Sequence, residues 1–417
     1  MVRNALADRL LLLVQKELTE KAGADDSSVR SAISSILSAD PEAAPLPVLE
    51  KKELAGYLYS AVRQLDVLQS LLEDPSVTEI MVNGPGTIFL ERNGVMEKSA
   101  ASFASAEKLM DVIRQIAGSC NRVINERSPI VDARLPDGSR INAVSSPVAL
   151  DGPYLTIRRF PEKTLTLDDL MAAGSLSAEA AALLRLLVRA RYSFLISGAT
   201  SAGKTTFLNA LSEAIPAEER VITIEDNAEL RLCGLPNLVR LEAKEANMEG
   251  APQIPIRRLI RSALRMRPDR IIVGEVRGEE AVDMLQALNT GHDGSLSTIH
   301  ANSAEDALSR LETMVLLGCA LPPEAVRRQI ASGIDLIVHL RRLPDRTRRV
   351  TEIAELCGIN GSAFLIEPLF VYRSEEGRLV RTGCLRNTEK YRTGRIFSPD
   401  KGITPHEEAE KNIPETL

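Results

Sequence analysis

The sequence predicts an α/β protein built on a mainly parallel sheet covered by helices, with a smaller α+β domain ahead of it. Three observations lead there. From about Thr166 to Leu340, short apolar strands alternate with helical stretches, the pattern of a parallel sheet. A glycine-rich loop follows one of those strands directly and opens a helix. Between residues 73 and 162, short strands separated by turn residues surround a single helical stretch.

The bulk properties fit such a fold and narrow the function classes. A chain of 417 residues is long for one core, so two or three folded units are expected. Hydrophobic residues make up 44% and charged residues 26%, values of an ordinary globular chain. A net charge of -6 argues against a surface built to coat nucleic acid or anionic lipid. The five cysteines, Cys120, Cys233, Cys319, Cys357 and Cys384, are widely spaced with no CxxC pair, so neither a disulfide framework nor a zinc site is indicated. The apolar stretch from Leu10 to Val14 lacks the cleavage pattern of a signal peptide, and no run approaches the ~20 apolar residues of a spanning helix. A cytoplasmic protein whose membrane association is peripheral is expected.

Taken in order, residues 1–72 read as a helical N-terminal extension, with Leu10, Leu11, Val14 and Leu18 on one face and Ile33, Ile36 and Leu37 on another. Asp40 to Pro47, with three prolines, interrupts them. Residues 73–162 form the α+β domain: strands at Glu79 to Val82 and Thr87 to Glu91 around Gly84-Pro85-Gly86, and a further turn at Asn93-Gly94. A helix at about Ala106 to Ala117 follows, then a hairpin of Val131 to Leu135 and Arg140 to Val144 around Pro136-Asp137-Gly138, and a strand at Leu155 to Phe160. Residues 163–345 carry the alternating strands Phe194 to Ser197, Val221 to Ile224, Arg270 to Val273, Leu296 to His300 and Leu336 to Leu340. Residues 346–417 contain strand-like pieces such as Val350 to Leu356 and end in a polar tail from about Ser398.

The loop Gly198-Ala199-Thr200-Ser201-Ala202-Gly203-Lys204-Thr205, continued by Thr206, matches GxxxxGK[ST] at every required position. Its glycines let backbone N–H groups converge on phosphate oxygens, and the helix that follows adds positive potential. Lys204 balances β- and γ-phosphate charge, and the Thr205 hydroxyl can ligate magnesium. ATP and Mg2+ are the expected cofactors.

Three further constellations lie at strand ends. Glu225-Asp226, with Glu229 close behind, ends the Val221 strand, where acidic groups can position a lytic water or hold hydrated magnesium. The apolar strand Ile271-Ile272-Val273-Gly274-Glu275 ends in a carboxylate that can polarise water or bind magnesium through water, with Arg277 beyond it. Gly291-His292-Asp293-Gly294 and Ser297-Thr298-Ile299-His300 flank another strand, and His300 at its C-terminal end can donate to a γ-phosphate oxygen. Arg257, Arg258, Arg261, Arg265, Arg267 and Arg270 punctuate an apolar helical stretch. They read as a solvated or subunit-facing surface, because the aromatics expected for single-strand binding are missing. No direct nucleic-acid binding is expected.

Together these elements resemble the type II/type IV secretion ATPase superfamily, most closely its CpaF (Tad/Flp pilus) branch. The likeness covers about Leu71 to Gly358. Asp74-Pro75-Ser76-Val77-Thr78-Glu79-Ile80-Met81-Val82-Asn83-Gly84, Asp137-Gly138-Ser139-Arg140, Thr156-Ile157-Arg158-Arg159-Phe160 and the phosphate loop carry it. So do Ile224-Glu225-Asp226 with Glu229-Leu230 (an Asp box), Met266-Arg267-Pro268-Asp269-Arg270 through Glu275-Val276-Arg277-Gly278 (a Walker B region), and Asn289-Thr290-Gly291-His292 through Thr298-Ile299-His300-Ala301-Asn302 (a His box). Two departures stand out. The loop reads Gly-Ala-Thr-Ser-Ala-Gly where the family commonly has Gly-Gly-Thr-Gly-Ser-Gly, and the four-cysteine zinc motif of some relatives is absent.

The resemblance implies a RecA-like ATPase domain preceded by a PAS-like α+β domain. It implies a homohexameric ring that hydrolyses ATP with magnesium, docked on an inner-membrane platform protein at the cytoplasmic face and driving Tad/Flp pilus assembly or protein secretion. Arg140 and Arg158 match arginines that reach the nucleotide from the N-terminal domain, and Glu225, Glu229 and Glu275 share the handling of water. A conjugation-type ATPase serving DNA or effector transfer is the alternative within the superfamily, and a non-catalytic nucleotide-binding regulator the alternative outside it.

Overall fold

A computed structural model of the chain describes residues 6, 7, 9, 10, 13, 14, 17, 26–63, 65–92, 94–120, 122–135, 138–159, 164–244 and 253–393. Leu11 and Leu18, Asn93, the Pro136-Asp137 turn, the strand end at Phe160 and the polar tail from Ser398 lie outside the described residues. The chain divides into two compact units, Met1–Glu162 and Lys163–Leu417.

The first unit opens with helices Asp26–Ala39 and Val48–Arg63, parted by the proline-rich stretch read from the sequence. Asp40 organises that break. Its carboxylate accepts from the backbone N–H groups of Glu42 (3.0 Å) and Ala43 (3.1 Å) and pairs with Arg9 at 2.9 Å. Val29, Ile33, Leu37 and Leu58 bury together with Leu10 and Val14 in a small separate core.

After the helix Val67–Glu73 come six antiparallel strands: β1 (Val77–Asn83), β2 (Ile88–Arg92), β3 (Val95–Lys98), β4 (Ile130–Arg134), β5 (Arg140–Val144) and β6 (Tyr154–Arg158). They run β3-β2-β1-β6-β5-β4 across one sheet. Alternation decides which face is covered: Ile80, Val82, Ile141, Leu155 and Ile157 point at the helix Ala106–Ser119, which returns Leu109, Val112, Ile113 and Ile116. Ser105 caps that helix by accepting from the Lys108 N–H at 3.2 Å. The Asp74 motif is structural. Its carboxylate takes the Ser76 N–H (2.9 Å) and hydroxyl (2.6 Å), bonds that hold its pKa down at about 2, and it pairs with Arg92.

The second unit is a nine-stranded mixed sheet. Its strands are β7 (Phe194–Gly198), β8 (Val221–Glu225), β9 (Leu238–Glu242), β10 (Arg270–Val276), β11 (Leu296–Ile299), β12 (Leu336–Arg342), β13 (Arg348–Asn360), β14 (Ala363–Arg373) and β15 (Arg378–Arg381). The order is β15-β14-β13-β12-β7-β11-β10-β8-β9. Six neighbours, β12 to β9 in that order, pair in parallel, and β13 to β15 continue the sheet antiparallel.

Both faces are covered, which is why these strands read as continuous apolar runs. Ile196 packs with Leu184, Val188, Leu208 and Leu211 on one face. Leu195, Ile222, Ile224, Ile271 and Val273 meet Ile260, Leu285, Leu308 and Leu311 on the other. The fold is thus α/β with one antiparallel and one mixed sheet, and the C-terminal strands join the sheet that carries the phosphate loop. Arg265, Arg267 and Arg270 depart from the arginine stripe expected on one helix. The helix spans Ile256–Ala263, and Arg270 begins β10 fully buried, bonded to Glu219 (3.2 Å) and the Gly294 carbonyl (3.0 Å). A guanidinium there is tolerable because it is paired and hydrogen-bonded.

Candidate nucleotide site

Because β7, β8, β10 and β11 are parallel neighbours, their C-terminal ends fall along one edge. That edge collects the expected loop, acidic residues and histidine. Register fixes the depth: Ser197 lies opposite Ile299, and Val273 opposite Ile224.

The loop geometry explains its glycines. Gly198 takes φ 156°, and a Cβ there would sit 2.5 Å from the Leu340 carbonyl oxygen. Gly203 takes φ 96° immediately before the helix Lys204–Ser212. The N-cap, Gly203, brings no side chain to cap the first turn, and the N-terminal end of a helix favours an anion. Ala199, Thr200 and Ser201 are exposed, whereas Thr205 and Thr206 are half-buried on the first turn.

Lys204 is buried, and its ammonium donates to the carbonyls of Gly198 (3.0 Å) and Ala199 (3.2 Å). It also lies 3.2 Å from His300 Nδ1. His300 Nε2 in turn lies 2.6 Å from Glu275 Oε1. Burial, and then the Lys204 charge, hold the His300 pKa below its ordinary value, so the ring is neutral at neutral pH. With Nδ1 accepting from Lys204, the Nε2–H faces Glu275 at contact distance, although Glu275 Oε1 has no hydrogen-bond partner among the described residues. Glu275 Oε2 then meets Arg277 at 2.7 Å, and Arg277 reaches Asp226 at 3.7 Å. A continuous polar line therefore runs from the loop lysine to the end of β8.

Glu225 and Glu229 separate in character. The Glu225 side chain is buried, and its Oε2 accepts from the backbone N–H groups of Glu229 (2.7 Å) and Leu230 (2.8 Å). Burial pushes its carboxyl up to about 7. Gly274 makes room for it, since a Cβ there would lie 2.8 Å from Glu225 Cγ. Glu229, held on this pinned loop, is only half-buried.

Other expectations sort themselves similarly. His292 Nδ1 lies 3.2 Å from the Ala287 carbonyl, to which it can only donate, a contact back to the end of the preceding helix Glu280–Leu288. Arg257 and Arg261 both bind Asp283, at 2.5 and 2.7 Å, which ties their helix to its neighbour. In the first unit, Arg140 and Arg158 are cross-strand partners, in a row that runs Glu79, Arg158, Arg140, Arg134.

Two residues escaped the sequence reading. His339 on β12 lies 2.9 Å from the Ser197 hydroxyl just before the loop, and burial lowers its pKa to about 4. Arg348 on β13 donates from Nε to the Ser201 carbonyl at 2.9 Å. Neither carries a local signal, because each meets its partner more than a hundred residues away.

The donors fit magnesium by type: a threonine hydroxyl and carboxylates are hard oxygen ligands. Among the described residues no three metal-ligating side chains cluster. An ion here would accordingly take few protein ligands and complete its shell with water and phosphate, as magnesium does. No helix of the described residues is long and apolar enough to cross a membrane.

This fold and site define a phosphate-loop ATPase of the secretion type. Residues 62–397 match the family described as type II/IV secretion system protein, and the chain belongs to that family. Conjugal transfer protein TrbB of Rhizobium radiobacter is 35% identical over 308 residues, covering 72% of this chain and 90% of that one. Type IV secretion system protein VirB11 of Brucella suis is 35% identical over 321 residues, covering 69% and 88%. The solved structure of the ATPase DotB of Yersinia pseudotuberculosis shares the fold, with a TM-score of 0.51 and 18% identity over 71% of this chain and 78% of that one. These relatives are transfer and type IV secretion proteins, so they favour the conjugation-type reading over the Tad/Flp branch expected from the motifs.

Proposed function

We propose that this chain is a magnesium-dependent ATP hydrolase, the motor of a VirB11/TrbB-type machine that moves DNA or protein effectors across the cell envelope. The observation that carries the reading is the line Lys204–His300–Glu275, which links the phosphate loop to the strand-end carboxylate. It would make no sense for a loop that merely turned. With ATP bound, the N–H groups of Ala199 to Thr205 cradle the β-phosphate, and Lys204 moves its ammonium from loop carbonyls to phosphate oxygens. His300 donates to the γ-phosphate. Magnesium, held by Thr205 and through water by Glu275, would supply charge neutralisation.

The attacking water gives its proton to Glu229, with Glu275 orienting it. Glu225 acts through backbone, fixing where Glu229 stands. Arg140 and Arg158 are assigned to the γ-phosphate as well. The working form is a homohexamer, peripheral at the cytoplasmic face of the inner membrane on a platform protein, without direct contact to nucleic acid.

A second reading, the Tad/Flp pilus motor, is favoured by the motif series over Leu71 to Gly358. One genetic experiment separates the two. Cells carrying only the Lys204→Ala chain should lose transfer of DNA or effectors and keep their surface pili. Loss of pili with transfer intact would overturn the conjugation-type reading in favour of the second.

A further inference from the structure

Ser201 holds φ 60° in the middle of the phosphate loop, a left-handed backbone that a side chain disfavours. Left to itself, such a turn would relax and draw the N–H groups of Ala202 and Gly203 away from the point where a phosphate must sit. The contact that opposes this comes from the far end of the unit. Arg348 opens β13, which pairs antiparallel to β12, and β12 lies parallel against β7, the strand feeding the loop. Topology thus delivers Arg348 to a loop 147 positions earlier.

Arg348 Nε donates to the Ser201 carbonyl at 2.9 Å. Its aliphatic stem lies over Gly203, where an added Cβ would meet Arg348 Cδ at 3.4 Å. The arginine is itself anchored, because its carbonyl accepts from the Ser175 hydroxyl at 2.6 Å. Opposite, the loop's first glycine is pressed against the Leu340 carbonyl of β12. The loop is therefore bracketed on two sides by the β12–β13 hairpin.

We propose that Arg348 is a positioning residue for nucleotide binding: by holding the Ser201 carbonyl, it maintains the left-handed turn and keeps the loop's N–H groups convergent before phosphate arrives. It acts through Ser201 and does not touch the nucleotide. Preorganisation of this kind raises affinity and leaves the chemical step alone. The proposal rests on the reading that this loop binds nucleotide, and its test separates the two.

The test is a thermodynamic cycle, with magnesium ADP titrated calorimetrically into the full chain. Arg348→Ala should weaken binding roughly fivefold to tenfold, the loss of one hydrogen bond from a charged donor. Ser201→Gly is the reference background of the cycle: glycine adopts φ 60° freely, so its turn does not need Arg348 to hold it. In the Ser201→Gly background, Arg348→Ala should then weaken binding by less than about twofold, a non-additivity expected only of coupled residues. Arg348→Lys, which restores a donor, should recover part of the affinity, and in turnover Arg348→Ala should raise KM with kcat unchanged. An Arg348→Ala protein with unaltered affinity overturns the proposal. So does an equal loss in both backgrounds, which would mean that Arg348 contacts the nucleotide directly. If the parent chain itself fails to bind magnesium ADP, the nucleotide reading fails first.

Discussion

At the scale of single residues, the structure gives two neighbouring glutamates different work. Glu225 spends its carboxylate on the amides of Glu229 and Leu230, while Glu229 stays half-buried on the loop so held. Glu229→Gln should lower steady-state ATP hydrolysis by about a hundredfold or more, as loss of a general base does. Glu225→Gln, whose amide oxygen still accepts from backbone, should lower it by less than about tenfold. Equal losses measured by phosphate release would contradict this division.

Burial also makes Glu225 a stability term with a definite sign. Its carboxyl rises from 4.5 to about 7, so between those values the folded chain holds a proton that the unfolded chain has released. Stability from this group is complete below pH 4.5 and is lost as pH rises through 7, by an amount on the order of 3 kcal/mol. Glu225→Gln has no such proton. In urea unfolding, the parent should therefore lose stability relative to Glu225→Gln between pH 5 and 8; a constant difference across that range would count against the assignment.

Residue identity was legible in the sequence wherever chemistry and local pattern coincide, as at Gly198, Gly203, Lys204 and Glu275, each at a strand end or loop of recognisable form. Partnerships across the fold were not legible. His339 meets Ser197, and Arg348 meets Ser201, only because β12 and β13 stack beside β7. Arg270 looked like one more charge in an arginine series, and nothing nearby announces Glu219 as its buried partner.

At the scale of elements, buried strands declared themselves by apolar runs and edge strands did not. β7 and β8 are buried at every position and were expected within a residue or so of their ends. β9 has no fully buried residue, so its alternation is faint, and β15 has a single one. The long β13–β14 hairpin was visible only in part, although Gly361 marks its turn with φ 61°. The loop's dependence on β12 yields a prediction at this scale. Gly198→Ala forces a Cβ against the Leu340 carbonyl and should destabilise the second unit by about 2–4 kcal/mol while removing nucleotide binding. An alanine variant that melts like the parent would show that the strand-to-loop junction is more pliant than its geometry implies.

At the scale of the whole molecule, the chain is a unit with a six-stranded antiparallel sheet followed by one with a nine-stranded mixed sheet, and the family match over residues 62–397 takes in both sheets. Parallel pairing gathers Gly198, Glu225, Glu275 and His300 at one sheet edge, so the topology itself assembles the site that the motifs suggest piecemeal. The function proposed for that site requires that it be catalytic. The direct measurement is steady-state phosphate release from magnesium ATP by the purified full chain, set beside Lys204→Ala. The account predicts turnover by the parent and its loss, to about a hundredth or less, in the variant. Turnover by Lys204→Ala at the parent's rate, or none by a parent that binds ATP, would contradict it.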